Sequence, residues 1–306
     1  MPSLADPVHR ITPSLETRLT VNPGQVFTIP LNNAFGKNFD NIEEFEAFLA
    51  PENEEEKQRL NHPCTGPIEV LTNRKNISLA IHIVEMRAKK GYQCISHSTG
   101  CLKDTFHDRE CTIYNIEDDG ALYFRNGDII MRGSPKLGFI ATMDDQERSC
   151  GQACQNGGNL DFNFLDRKST IYLPVNAEIP RILVGDLHIC QGNGEACGIA
   201  VEADGEITLK IDIIDKIDFP VINHKDNLVI IGWGNYAEKS FECSVQNTIH
   251  YLKRLFPFCN WSDGEIYKFI SAEGNLTMGN ATGKVITTGT VFYKRRVKNK
   301  YGFSIF

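Results

Sequence analysis

Between Gly185 and Gly198 the chain reads GDLHICQGNGEACG, which places Asp186, His188, Gln191 and Glu195 within ten residues. Asp, His and Glu are hard or borderline ligands that suit a divalent cation such as zinc. His and Glu also move protons near neutral pH. Asp186 and His188 are two apart, so an extended strand points both to one side. Glu195 then returns from the far side of a glycine turn. A solvated turn between two strands is the competing description, because an isolated Asp-x-His arises freely.

Two further segments carry chemistry. In GGNLDFNFLDRKSTIYLPV, residues 157–175, the Gly-Gly-Asn turn delivers Asp161, and STIYLPV has the β-branched and aromatic content of a strand. In HPCTGPIEV, residues 62–70, Pro and Gly punctuate the entry to another strand.

The elements that must hold these residues are mostly strands. Residues 17–31, 67–73 and 77–87 tend to alternate apolar and polar side chains, with a turn at Asn22-Pro23-Gly24. Strands are also predicted at 111–117, 121–124, 128–131 and 137–142, and the pattern from Ile182 to Ile214 is strong. Residues 41–60 are acidic with helical spacing at Phe45, Phe48 and Leu49, which suggests a solvated helix face or an exposed insertion. Residues 90–112, with His97 and His107, read as an irregular loop over the site. A second long loop from Asp144 leads to Asp161. Between 236 and 256 the period becomes helical, with an apolar stripe of Ala237, Phe241, Val245, Ile249, Leu252 and Leu255. Ser262 and Glu265 form a capping box for a helix from Asp263 to about Ala272. Strands followed by helices predict an α+β class.

The 306 residues are enough for one large or two smaller domains. Net charge is −7, and the one basic cluster is KRRVKNK near the end, so no nucleic-acid partner is expected. No apolar run approaches the roughly 20 residues of a membrane span, and the N-terminal segment lacks a signal-type apolar core. The expectation is a cytoplasmic protein with no membrane contact. Its ten cysteines match no zinc-knuckle spacing and are expected to be reduced. Cys190, two residues beyond His188, is read as a packed hydrophobe, with nucleophile as the alternative.

Taken together, Pro63–Pro67, Gly157–Asp161, Ser169–Val175 and Gly185–Glu195 resemble, in order and spacing, the motifs of the acetamidase/formamidase family of metal-dependent amide hydrolases. EIYKFISAEGNLTMGN resembles that family's C-terminal part. The resemblance implies a β-sandwich or barrel-like body with a small helical α+β part. Residues 1–222 would form the β-rich body carrying the site, and 223–306 a C-terminal part with two helices and closing strands. It also implies hydrolysis of the carbon–nitrogen bond of a small amide of the formamide or acetamide kind. With ligand chemistry, it assigns Asp161, Asp186 and His188 to a divalent metal, zinc, with calcium as a second ion. Glu195 becomes the general base and later the acid, or else a ligand or structural partner; Gln191 positions the substrate amide. A homodimer is the expectation for a soluble enzyme.

The chain departs from the family pattern at Pro30, Asn33 and Asn193, and over Ser134–Met143. Asn193 stands where a carboxylate is usual, so weaker cation binding is expected at that loop. The departures keep open two rivals: a non-catalytic relative that binds a small amide or metal, and a carbon–nitrogen hydrolase acting on a larger substrate.

Overall fold

The computed structural model describes residues 4, 6–60, 62–96, 98–117, 120–124 and 129–298. His97, the first residue of the predicted 128–131 strand, and the end of KRRVKNK lie outside them. The class is α+β and strand-rich. Among the described residues, most strands join one 15-stranded sheet, accompanied by two two-stranded sheets.

Two long antiparallel strands, Ile77–Gln93 and Val201–Asp215, form the sheet's spine. Ile207, Leu209 and Ile211 are buried while Thr208 and Lys210 between them are partly exposed, the period-2 pattern of a half-buried strand. Strand Arg181–Cys190 differs. It is buried from Ile182 to Ile189 and pairs with Lys136–Thr142, Cys64–Val70 and Val201–Asp215. An Asp and a His on that strand are therefore forced into the interior. The spine strand extends to Gln93, so the predicted loop at 90–112 starts only after it.

The acidic stretch 41–60 presents the expected solvated helix face, with Glu43 and Glu46 exposed, and is not a detached insertion. Its helix Ile42–Leu49 buries Phe45, Phe48 and Leu49 against Phe35, Phe39 and Tyr92. The Phe39 and Phe45 rings stack with centroids 4.6 Å apart.

At the C-terminal end, helices Ala237–Leu255 and Asp263–Glu273 pack beside strands Asn227–Gly234 and Ile286–Tyr293. The buried face of the longer helix is Ser240, Ser244, Thr248 and Leu252, so of the predicted apolar stripe only Leu252 is fully buried. The cause is close approach. A Cβ at Gly232 would lie 2.2 Å from the Ser244 nitrogen and 2.4 Å from the Ser240 oxygen. Only small side chains fit there, and Val245 and Ile249 flank the contact, partly buried. Ser240 Oγ donates to the Ile286 carbonyl at 3.0 Å and meets Thr288 Oγ1 at 2.9 Å. No helix among the described residues is long and apolar enough to cross a membrane.

The capping box forms as read: Ser262 Oγ accepts from Glu265 N, and Glu265 Oε2 accepts from Ser262 N. Ser262→Ala is expected to lower unfolding free energy by about 0.5–2 kcal/mol. Urea denaturation measures it, and an unchanged midpoint would show that the cap contributes nothing.

Candidate active site

Strand Arg181–Cys190 brings Asp186 and His188 to one point. His188 Nε2 lies 3.2 Å from Asp186 Oδ1, and both residues are almost fully buried. Asp186 sits in the left-handed region, at φ 61°, inside this strand. Such a backbone costs of order 1–3 kcal/mol and concentrates at functional sites. The neighbouring strand makes room through Gly138. A Cβ there would lie 2.4 Å from Asp186 Oδ2, 2.7 Å from Asp161 Oδ1 and 2.8 Å from His188 Cε1. Three site residues thus converge over one glycine. It belongs to SPKLGFIATM, the segment that departs from the family pattern.

Asp161 is held from two directions. Asn159 Nδ2 and Asn280 Nδ2 donate to its Oδ2 at 2.9 and 2.7 Å. Its backbone is also left-handed, with φ 52°, and its nitrogen donates to the Gly138 carbonyl. Asn280 comes from the chain beyond 222, at the end of strand Asn275–Met278. The Gly-rich loop docks on the same turn, where Gly194 N donates to Gly279 O at 2.7 Å. That docking carries Glu195, φ 42°, to within 3.7 Å of His188 Nδ1.

Electrostatics sets these groups apart from a structural ion-pair cluster. Burial, reinforced by Glu195 and Asp186, pushes the Asp161 carboxyl well above its ordinary range. Burial also raises Glu202, and raises Glu195 to about 8. Burial opposes the charged forms of Asp186 and His188 too, but their mutual attraction wins. Asp186 falls to about 2, and His188, with Glu202 and Asp186 beside it, rises well above the usual histidine range. One imidazole cannot balance so many buried carboxyls, and like charges in one site force some to stay protonated. Asp161 Oδ1, Asp186 Oδ1, Glu202 Oε2 and His188 Nδ1 are buried without a hydrogen-bond partner. Such orphaned polar atoms in native proteins call for an ion, a water or a catalytic role. The donor set fits a divalent cation: Asp161, Asp186 and His188 offer atoms within 4.8 Å of one another, and so do His188, Glu195 and Glu202.

The four acidic and imidazole residues read from the sequence therefore meet in space. Gln191 is not among the residues that line the cavity. Its Nε2 donates to Glu195 Oε1 at 3.0 Å, so it orients that carboxyl. Asn193 is exposed, accepts from Asn163 N and donates to Thr277 Oγ1, which makes it a turn staple outside both ligand groups. Asn33 is likewise engaged, with its backbone and side-chain nitrogens both bound to the Asp204 carboxylate at 3.0 Å. Pro30 O accepts from Thr65 Oγ1. Cys190 Sγ contacts Arg132 O at 3.5 Å and burial raises its thiol, which suits packing. All ten cysteines are free.

Sequence reasoning missed Glu202, Asn159, Asn280 and His62. Glu202 pairs directly with His188 across the sheet, with Oε2 3.3 Å from His188 Nε2. His62 opens the HPCTGPIEV segment in a left-handed conformation, its Nδ1 buried without a partner, and burial lowers its pKa. Asn159 and Asn280 were inside quoted segments, as the last residue of Gly-Gly-Asn and of EIYKFISAEGNLTMGN. All of these except Gln191, Asn193, Asn33, Pro30 and Cys190 line one cavity of about 850 Å³.

A strand-rich α+β body with a buried carboxylate–histidine floor under a cavity defines the class. The same fold occurs in an acetamidase from Bacillus halodurans, with a TM-score of 0.85 and 20% identity over 95% of this chain and 96% of that one. A sequence model of the Acetamidase/Formamidase family matches residues 145–274, the stretch that holds Asp161, Asp186, His188 and Glu195. A putative formamidase of Schizosaccharomyces pombe is 45% identical over 62 residues, and an acetamidase of Mycolicibacterium smegmatis 44% over 62 residues. Each of those alignments spans 20% of this chain and 15% of the relative's length. Over residues 145–274 the chain is similar to the acetamidase/formamidase family, and the curated relatives align with it over 15% of their own length.

Proposed function

We propose that the protein hydrolyses the carbon–nitrogen bond of a linear amide, with a divalent cation, zinc, held by Asp161, Asp186 and His188. The observation that carries this reading is the convergence of those three side chains over Gly138, with Asp161 Oδ1 and His188 Nδ1 buried without a hydrogen-bond partner. The names of the relatives point to the same chemistry: formamidase and acetamidase. A bound divalent cation would supply Lewis-acid polarisation of the amide carbonyl and acidify a water molecule.

The chain's own groups supply the rest. Glu195 takes the proton of the attacking water and returns it to the leaving nitrogen, which an amide needs because its amine is a poor leaving group. Its carboxyl, raised to about 8, sits where both protonation states are accessible near neutral pH. Gln191 fixes Glu195 Oε1, and Asn159 and Asn280 fix Asp161 Oδ2, leaving Oδ1 free for a ligand role. The cavity walls exclude bulk water from the buried floor, which strengthens each charge interaction there.

The test combines metal analysis with ammonia release from formamide and acetamide. The purified protein is expected to carry tightly bound zinc, to lose activity on chelation, and to regain it on adding zinc back. Full turnover after complete removal of metal would overturn the metal-assisted reading. The absence of ammonia release from any amide would favour a non-catalytic binder.

A further inference from the structure

The cavity is large for formamide or acetamide. About 850 Å³ lies in the upper part of the roughly 300–1,000 Å³ range of pockets that bury drug-sized ligands. Part of its lining comes from two segments that lie beyond the metal-ligating motifs: the helical stretch 42–60 and the loop after strand Ile77–Gln93. Phe48 and Leu49, each 4% exposed, give that lining an apolar face.

Charge in the cavity is polarised. The floor is acidic. Lys57, Arg109 and Lys284 line the walls. Lys57 is already neutralised, with Nζ 2.6 Å from the Glu54 carboxylate and donating to Leu49 O. Arg109 is different. It is half-buried, and its guanidinium makes no hydrogen bond or ion pair among the described residues. Glu54 feels its charge only as a minor influence behind Lys57. A half-buried guanidinium with an unused fork of donors is a receptor for a carboxylate.

We propose that the physiological substrate is an amide extended by an apolar stem that ends in a carboxylate, with Arg109 as the residue that recognises the anionic end. The inference rests on the amidase reading above. The guanidinium on the wall gives such a molecule one orientation, because its carboxylate is drawn to Arg109. The amide is then the end left at the floor. A neutral amide of the same length lacks that directing field.

The experiment compares the monoamides of succinic, glutaric and adipic acid with butanamide, pentanamide and hexanamide. For the wild type, kcat/KM for the anionic member of a matched pair is expected to exceed that for the neutral one by at least tenfold. Arg109→Gln is expected to cut this ratio roughly 10- to 100-fold, the worth of one charge-assisted hydrogen bond, and Arg109→Lys to restore part of it. Equal wild-type rates within pairs would overturn the proposal without any variant, as would an unchanged ratio in Arg109→Gln. Calorimetric titration with glutaric monoamide separates the two readings. Saturable binding that weakens in Arg109→Gln, in a protein that hydrolyses no amide, would sustain the anion site and sink the amidase. Ammonia release from neutral amides alone would do the reverse.

Discussion

Gly138→Ala is expected to remove amide hydrolysis and bound metal together. The added methyl would stand 2.4 Å from Asp186 Oδ2 and 2.7 Å from Asp161 Oδ1. Neither carboxylate can retreat freely. Asp161 is tied at Oδ2 by two asparagines, and Asp186 is fixed in a left-handed backbone within a buried strand. Displacing both by on the order of 1 Å is enough to cost about 10²-fold in rate on geometry alone, and loss of the ligand set takes the effect beyond that. The measurements are metal content and kcat/KM, with circular dichroism to confirm the fold. Gly264→Ala is the control, because a Cβ at Gly264, on the helix Asp263–Glu273, meets nothing within 4 Å. A Gly138→Ala protein with full metal and full turnover would show that the space over this glycine is not the reaction centre.

The weight that falls on Gly138 explains what the sequence could and could not disclose. Asp186, His188 and Glu195 were legible because one short loop contains them all. Asp161 was legible because a Gly-Gly-Asn turn announces it. Glu202 was not, since in EADGEITL it reads as one more polar residue on an alternating strand. Its role depends on its pairing with His188, and register across two strands is fixed by the assembled sheet. Asn280 arrives from 119 residues beyond Asp161, a contact no local pattern encodes. The helix 237–255 was placed correctly but its buried face was not. Periodicity weighs apolar side chains, while the close approach at Gly232 selects serine and threonine. In the acidic stretch 41–60 the glutamates mark the solvated face and Phe45, Phe48 and Leu49 the buried one, but the partners Phe35, Phe39 and Tyr92 are set by the assembled fold.

Glu195→Gln is expected to lower turnover by about 10²–10⁴-fold while metal stays bound, because the substitution removes a proton carrier and little else. Glutamine is isosteric, so the strained backbone at φ 42° has nothing new to accommodate. Its Oε1 can still accept the hydrogen bond from Gln191 Nε2, which keeps the side chain in place. The lost group is an ionisable carboxyl 3.7 Å from His188. The contrast with Glu202→Gln makes the measurement decisive, since His188, Glu195 and Glu202 also form a group able to hold a cation. If Glu195 moves protons, its variant retains stoichiometric zinc and loses kcat. Should zinc leave Glu195→Gln as readily as it leaves Asp161→Asn, Glu195 is a ligand. The proton would then have to travel through another group lining the cavity, such as His62, whose Nδ1 is buried without a partner.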